Sequence, residues 1–294
     1  MAYSKGASGA MEEQDKFCDY LSGVNPVWCP GCGYYGILGA LVEAFVDLKL
    51  PSKELALISG IGCASRLPYF VKSYGFHGIH GRALPIAQGV KIANPNLTVV
   101  TVGGDGDGLA IGGGHFPHAA RNNVDLTYIL FNNAIYGMTK GQFSPTTTLL
   151  SSTKTSPFGL TGEALNPSAL AIVYGASFVA RGFTVKKEQL KDLIMQGIRH
   201  PGFAFIEILS SCSSFNTTDM NVAHLLKAID TVPADHDPED PVAALRLAGS
   251  ESRIHLGVLR RSPRPSLEDR FQEIQKKAQR GKSRGIDNLV QQFA

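Results

Sequence analysis

Charge is scarce in this chain. Lys, Arg, Asp and Glu make up 18% of 294 residues and leave a net charge of +3, too small an excess to point to nucleic acid as a partner. No apolar stretch approaches the length of a bilayer span, so no membrane partner is expected. Met1 to Lys16 is polar and rich in Gly and Ser, without the apolar core of a signal peptide. No internal repeat is present. These absences lead to the expectation of a cytoplasmic protein, in a compartment where thiols stay reduced and free to bind a cofactor. The 44% of hydrophobic residues is ordinary for a soluble α/β domain, and the chain is long enough to bury a substantial core.

After an N-terminal arm (1–19), apolar and β-branched runs alternate with helical patterns. Strands are expected at 55–58, 97–102, 126–131, 177–183 and 203–209, and helices at 34–48, 85–93, 109–121, 168–175 and 186–199. This alternation predicts an α/β fold with a doubly wound, mainly parallel sheet over residues 20–225. A Ser/Thr/Pro-rich loop occupies 144–167, and residues 226–294 read as a C-terminal linker and helical tail. Within that tail, Asp230 to Pro241 is acidic and broken by prolines. Ser266 to Asp269 forms a capping box before a helix with apolar Leu267, Phe271 and Ile274 and basic residues from Lys276 to Arg284. The tail is read as docked on its own subunit, with contact to a partner chain as the alternative.

Chemistry concentrates at the carboxyl ends of the strands, where open α/β sheets bind ligands. Gly104, Asp105, Gly106 and Asp107 follow the β-branched run Leu97 to Gly103, and Asn132-Asn133 follow the next apolar run, Leu126 to Phe131. Glycines around Asp105 let backbone amides approach a pyrophosphate, while the Asp105 carboxylate offers a hard oxygen ligand for Mg²⁺. A β-helix-β unit returns Asn133 to the same sheet edge. Alone, a Gly-Asp-Gly is more often a turn and an Asn-Asn a loop; their order, spacing and placement at strand ends favour a metal diphosphate site. The pairing resembles the thiamin diphosphate signature. That resemblance implies Mg²⁺ held by Asp105, Asn133 and the carbonyl of Ile135.

The five cysteines are Cys18, Cys29, Cys32, Cys63 and Cys212. Pro30-Gly31 shapes a tight turn that can place the Cys29 and Cys32 thiolates on one metal centre, and Cys63 and Cys212 each lie just past an expected strand. Four thiolates at one sheet edge suit zinc or an iron-sulfur cluster, and ligand type does not separate the two. A Cys-x-x-Cys could also be a redox dithiol or, after Trp28, a thioredoxin-like motif, but no short strand-helix thioredoxin pattern surrounds it. Cys18 is the spare thiol, and His236 among carboxylates is read as solvated.

Trp28 to Gly33, Gly60 to Cys63, His80 to Ala83, Gly104 to Asp107, Asn132-Asn133 and Tyr136 to Gln142 together resemble the β subunit of 2-oxoacid:ferredoxin oxidoreductases over residues 20–225. The resemblance implies a thiamin diphosphate-binding domain of the diphosphate (PP) type with a C-terminal extension. It places thiamin diphosphate and Mg²⁺ among Gly104, Asp105, Gly106, Asp107, Asn133, Met138 and Thr139, and a 4Fe-4S cluster on Cys29, Cys32, Cys63 and Cys212. The runs His80 to Pro85 and Gly137 to Thr146 look most like the 2-oxoglutarate-using branch. The reaction implied is coenzyme A-dependent decarboxylation of 2-oxoglutarate to succinyl-CoA and CO₂ with ferredoxin reduction, or its reductive reverse. Pyruvate or a broad 2-oxoacid range is the alternative.

One sheet and one signature leave no room for the pyrimidine-binding half of a thiamin site. An α subunit is therefore expected to supply that half and the activating glutamate, and the resemblance implies an αβ pair that pairs again. On the alternative reading of the tail, its basic run faces that partner or an acidic ferredoxin. Arg66, beside the cluster loop, is placed to reach a substrate's distal carboxylate, with a structural ion pair or cluster tuning as its other roles. His80 and Arg82 are further catalytic candidates, and Met138 a candidate for setting pocket depth. Two readings from other classes stand beside this one: a non-redox thiamin decarboxylase subunit with a zinc site, and a non-catalytic assembly subunit.

Overall fold

Five buried strands lie side by side in parallel because each is an apolar run with both faces to cover. A computed structural model describes residues 16–280 together with Ile286, Val290, Gln291 and Phe293; most of the N-terminal arm (1–15) and the end of the basic run at Arg284 lie outside the described residues. The strands are β1 (Leu55–Ser59), β2 (Tyr74–His77), β3 (Thr98–Gly104), β4 (Leu126–Asn132), β5 (Phe178–Phe183), β6 (Phe203–Leu209), β7 (Ile229–Thr231) and β8 (Ile254–Arg261). They form one sheet in the order β2-β1-β3-β4-β6-β5-β8-β7. Every neighbouring pair is parallel except β5 with β8. The doubly wound, mainly parallel sheet is thus as expected.

The pleat assigns alternate side chains to two cores. Ala204, Ile206 and Ile208 of β6 face α1 (Tyr34–Leu48) and α6 (Lys187–Arg199), whose Ile37, Leu41, Phe45, Leu190 and Ile194 are fully buried in the same cluster. Phe203 and Phe205 face the other way, onto Phe116 of α4 (Phe116–Asn122), Ile172 of α5 (Pro167–Val173) and Ala244 of α8 (Pro241–Ala248). Full burial of side chains of this size contributes roughly 1.5–3 kcal/mol each before the entropy cost of ordering them. Helix α1 ends where Lys49 turns left-handed (φ 54°) ahead of Pro51.

Three expectations need correction. The helix expected at 109–121 is two, α3 (Asp105–Leu109) and α4, separated by a turn through Gly112, Gly113 and Gly114. That turn packs against the loop at Gly81 so closely that a Cβ on Gly81 (φ 71°) would stand 2.6 Å from the Gly112 nitrogen. Secondly, the region after 225 is not only linker and tail. Helix α7 (Val222–Ala228) leads into β7, the proline-broken stretch crosses to α8, and β8 returns antiparallel along β5 with a bulge at Val179/Ala180. Boundaries at 225 therefore cut through one sheet. Thirdly, β2 forms a short edge strand with exposed side chains, where the sequence pattern assigns no element. The Ser266 capping box is present: Asp269 N–H donates to Ser266 Oγ at 3.1 Å, and Ser266 N–H donates to Asp269 Oδ2 at 2.9 Å. It opens α9 (Leu267–Arg280).

One buried polar group at the base of the sheet makes stability depend on pH. His200 Nε2 lies 2.8 Å from Ser177 Oγ, which donates to Asn123 Oδ1 at 2.6 Å. Burial, and then the Arg261 cation, push the His200 pKa from 6.5 down to about 4. Between those values the unfolded chain binds the extra proton, so stability falls as pH drops from 6.5 toward 4. Urea denaturation across that window is expected to show a falling midpoint, and His200→Gln a flatter dependence.

Candidate functional site

Strand β3 passes into α3 without a loop, Gly104 extended (φ −78°, ψ 164°) and Asp105 opening the helix. This junction and the turn after β4 enclose a cavity of about 370 Å³ whose wall includes Gly104, Asp105, Gly106, Asn133, Ile135 and Thr139. Asp105 is 1% exposed. Its Oδ2 accepts hydrogen bonds from Ser144 Oγ at 2.5 Å and Thr146 Oγ1 at 2.7 Å. Burial raises the Asp105 pKa, opposed by these two hydroxyls. Among the described residues no basic side chain forms an ion pair with Asp105. A buried carboxylate with hydroxyl donors and no counter-charge is suited to a hard divalent cation.

The turn after β4 brings up the other oxygens. Asn133 Oδ1 accepts from Ile135 N–H at 3.2 Å, and Ala134 between them is left-handed (φ 53°). Thr147 Oγ1 donates to the Ala134 carbonyl at 2.7 Å, and Asn216 Nδ2 donates to the Asn133 carbonyl at 3.2 Å. Across the cavity mouth, the Tyr136 hydroxyl donates to the Gly106 carbonyl at 3.0 Å. A Cβ on Gly106 would overlap the Tyr136 ring, so the glycine is required by this contact. Asp105, Asn133 and Ile135 thus share one cavity, a set that fits Mg²⁺ completed by diphosphate oxygens.

Asp107 lines the same cavity and also has a structural task. Its Oδ1 accepts from Ile61 N–H at 2.9 Å and Gly81 N–H at 2.7 Å, and lies 2.9 Å from His80 Nδ1. The side chain braces the loops after β1 and β2 against α3, and its Oδ2 has no partner. His80 stands in the cavity wall beside Tyr136. Arg82 does not line either cavity at this site; its Nη1 donates to the carbonyls of Gly81 and Ile111, both at 3.3 Å, as a strut of the loop.

A second cavity of about 260 Å³ adjoins the first and is lined by Cys29, Cys32, Cys63 and Cys212 together with Arg66 and Lys140. Cys32 N–H donates to the Cys29 carbonyl at 3.1 Å and closes the turn, in which Gly31 takes φ 75°. Three latches fix the loop: Trp28 Nε1–H donates to the Cys63 carbonyl at 2.7 Å, Ser213 Oγ to the Pro30 carbonyl at 2.7 Å, and Thr184 Oγ1 to the Gly33 carbonyl at 2.6 Å. Burial, and then the neighbouring sulfurs, raise the pKa of Cys63 and push that of Cys32 up to about 11. All four are free, and Cys18 is exposed outside this cavity.

The sulfurs surround a space. Among the described residues no three Cys, His, Asp or Glu side chains converge at single-ion spacing. A Cβ on Gly137 would stand 3.7 Å from Cys63 Sγ and 3.9 Å from Cys212 Sγ, so a residue without a side chain leaves the room between them open. Four thiols around a void fit a four-iron cluster with separate corners.

Met138 lines both cavities and Thr139 the first. Ser144 and Thr146 stand in the Gly137 to Thr146 run that carries the branch resemblance, and Lys140 in the Tyr136 to Gln142 motif, but the sequence assigns none of the three a role. Nothing in the sequence marks Asn216.

A family model described as thiamine pyrophosphate enzyme, C-terminal TPP binding domain, matches residues 60–208. The chain is 39% identical over 268 residues to 2-oxoacid:ferredoxin oxidoreductase 2, subunit beta, of Aeropyrum pernix, covering 87% of each chain. It is 36% identical to 2-oxoglutarate synthase subunit KorB of Methanothermobacter marburgensis, over 83% of this chain and 86% of that one. The solved 2-oxoglutarate:ferredoxin oxidoreductase from Magnetococcus marinus, with 2-oxoglutarate, coenzyme A and succinyl-CoA bound, matches with a TM-score of 0.91 at 40% identity. That match covers 95% of this chain and 96% of the other.

Proposed function

This chain belongs to the β subunits of the 2-oxoacid:ferredoxin oxidoreductases, and from that membership we propose that it carries the diphosphate and cluster half of a coenzyme A-dependent 2-oxoglutarate:ferredoxin oxidoreductase. The observation that carries the proposal is the shared wall of the two cavities, formed by Tyr34, Cys63, Asn133, Gly137 and Met138. It would set a cofactor that collects electrons beside one that passes them on.

When bound, thiamin diphosphate supplies the carbon nucleophile and electron sink for decarboxylating a 2-oxoacid, and a 4Fe-4S cluster moves electrons singly. The residues of this chain do the holding. Asp105, Asn133 and the Ile135 carbonyl would bind Mg²⁺, and Ser144 and Thr146 keep the Asp105 carboxylate aimed. Cys29, Cys32, Cys63 and Cys212 would bind the cluster. Arg66, in the wall of the cysteine cavity, would meet the distal carboxylate that distinguishes 2-oxoglutarate from pyruvate, and His80 and Met138 would bound the substrate space.

As a β subunit, the chain has an α partner. We place the activating glutamate there, in an (αβ)₂ assembly that reduces a ferredoxin in the cytoplasm. Four free thiols support that compartment. The test is anaerobic co-expression with the α subunit, followed by 2-oxoacid- and coenzyme A-dependent reduction of a viologen dye. About four irons per αβ pair and a preference for 2-oxoglutarate are expected. Arg66→Met should shift relative turnover toward pyruvate, and an unchanged ratio would remove its substrate role. Zinc with no dye reduction would instead identify a non-redox decarboxylase subunit.

A further inference from the structure

Glu207 is a carboxylate in the middle of β6, 2% exposed, in a strand whose other six residues are also buried. Pairing with Arg181 Nε at 2.9 Å satisfies its charge. Burial alone would raise its pKa; Arg181 and hydrogen bonds from Ser168 and Asn132 overcome that and hold it below the usual range. Buried ion pairs of this kind seldom add stability over apolar residues of the same volume, so the pair invites another explanation.

Its second oxygen supplies one. Glu207 Oε1 accepts from Asn132 Nδ2 at 2.8 Å. An ionised carboxylate is acceptor-only, so the Asn132 amide must present its NH₂ to Glu207 and its oxygen to the opposite side. That oxygen accepts from Ala134 N–H at 3.2 Å and lies 2.9 Å from Thr146 Oγ1, whose single proton forks between it and the Asp105 carboxylate. Thr146 Oγ1 is also 2.7 Å from Asp105 Oδ2, and Ala134 lies between Asn133 and Ile135. One amide oxygen therefore ties the Asp105 side of the metal site to the Asn133–Ile135 turn. Asn132 itself does not line the cavity.

We infer that Glu207, acting through Asn132 and Thr146, is the positioning residue of the Mg²⁺ site, setting the spacing of its two ligand segments. The inference rests on the reading of that cavity as a magnesium diphosphate site. It extends the site to the C-terminal region: Arg181 Nη2 donates to Asn166 Oδ1 at 3.2 Å, and Asn166 Nδ2 donates to the Ala248 carbonyl at the end of α8 at 2.7 Å.

The experiment is equilibrium dialysis of thiamin diphosphate into the metal-stripped αβ complex across a Mg²⁺ titration. Thr146→Val and Glu207→Gln are each expected to weaken Mg²⁺ binding about 10–100-fold, the range typical for groups that orient a metal ligand. Iron content should be unchanged. Thr146→Ser, which keeps the hydroxyl, should bind like the unaltered complex. The double variant Thr146→Val/Glu207→Gln should bind no more weakly than the worse single one, because both changes interrupt the same chain of contacts. Where Glu207→Gln fails to fold, Thr146→Val against Thr146→Ser still decides the matter. Unchanged affinity in Thr146→Val, or equal weakening by Thr146→Ser, would overturn the inference alone. Thiamin diphosphate binding indifferent to Mg²⁺ in the unaltered complex would overturn the reading of the site and the inference with it.

Discussion

Asp105→Asn is expected to abolish cofactor retention while leaving the cofactor-free protein as stable as before, or more so. The side chain is fully buried, its carboxylate raised in pKa by that burial, and hydroxyls rather than a cation hold it. Without metal it is a charge kept out of water with incomplete compensation, and neutralising it removes that cost. With metal it is the one anionic side chain among the oxygens proposed to hold Mg²⁺. Losing it should cost more than about 100-fold in Mg²⁺ affinity, beyond the range typical of groups that merely orient a ligand. Thermal unfolding of the αβ complex with and without Mg²⁺ and thiamin diphosphate separates the two effects. The unaltered complex gains stability on binding with the logarithm of the ligand excess over Kd. In Asp105→Asn that gain should vanish, with the starting melting temperature unchanged or raised. A variant that still gains the full shift would remove Asp105 from the metal site.

The sequence disclosed those parts of the molecule whose physics is local. Helix α1 matched its expected bounds because a long apolar run closes with a left-handed cap before Pro51. Strands β1, β3, β4, β5 and β6 were legible because strands buried on both faces in a parallel sheet read as near-continuous apolar runs, which the single Arg181 and Glu207 do not break. Strands β2, β7 and β8 are short or half-exposed and carry Tyr, Asp, His and Arg, so no apolar periodicity marks them. The split of α3 from α4 depends on the approach of Gly81 to Gly112, a tertiary fact. The site divides the same way. Asp105, Asn133 and the four cysteines stand out because residue type and strand-end position suffice to suggest ligation. The support around them does not: Asp107 as a brace, Arg82 as a strut, Ser144 and Thr146 as donors, and Glu207 behind Asn132 are all set by contacts between elements distant in sequence.

Cys212→Ala should separate the two cavities functionally. Cys212 follows β6, and its loop is latched to the Cys29–Cys32 turn through Ser213 and the Pro30 carbonyl, so the alanine leaves the loop anchored. Its sulfur faces the same opening at Gly137 as that of Cys63. With three of four thiolates, the cluster loses a corner ligand, and iron per αβ pair should fall well below four. Dye reduction dependent on 2-oxoacid and coenzyme A should fall more than about 100-fold, since electrons are proposed to leave this site through the cluster. Mg²⁺-dependent binding of thiamin diphosphate should persist, because Cys212 is absent from the wall of the diphosphate cavity. The substitution removes one sulfur from a half-buried side chain and leaves the Ser213 latch in place, so the cofactor-free protein should unfold near the unaltered temperature. Loss of iron together with loss of thiamin diphosphate binding would mean that the two cavities are one cooperative structure and not neighbouring sites. Full activity at unchanged iron would remove Cys212 from the cluster and reopen the choice of its fourth ligand.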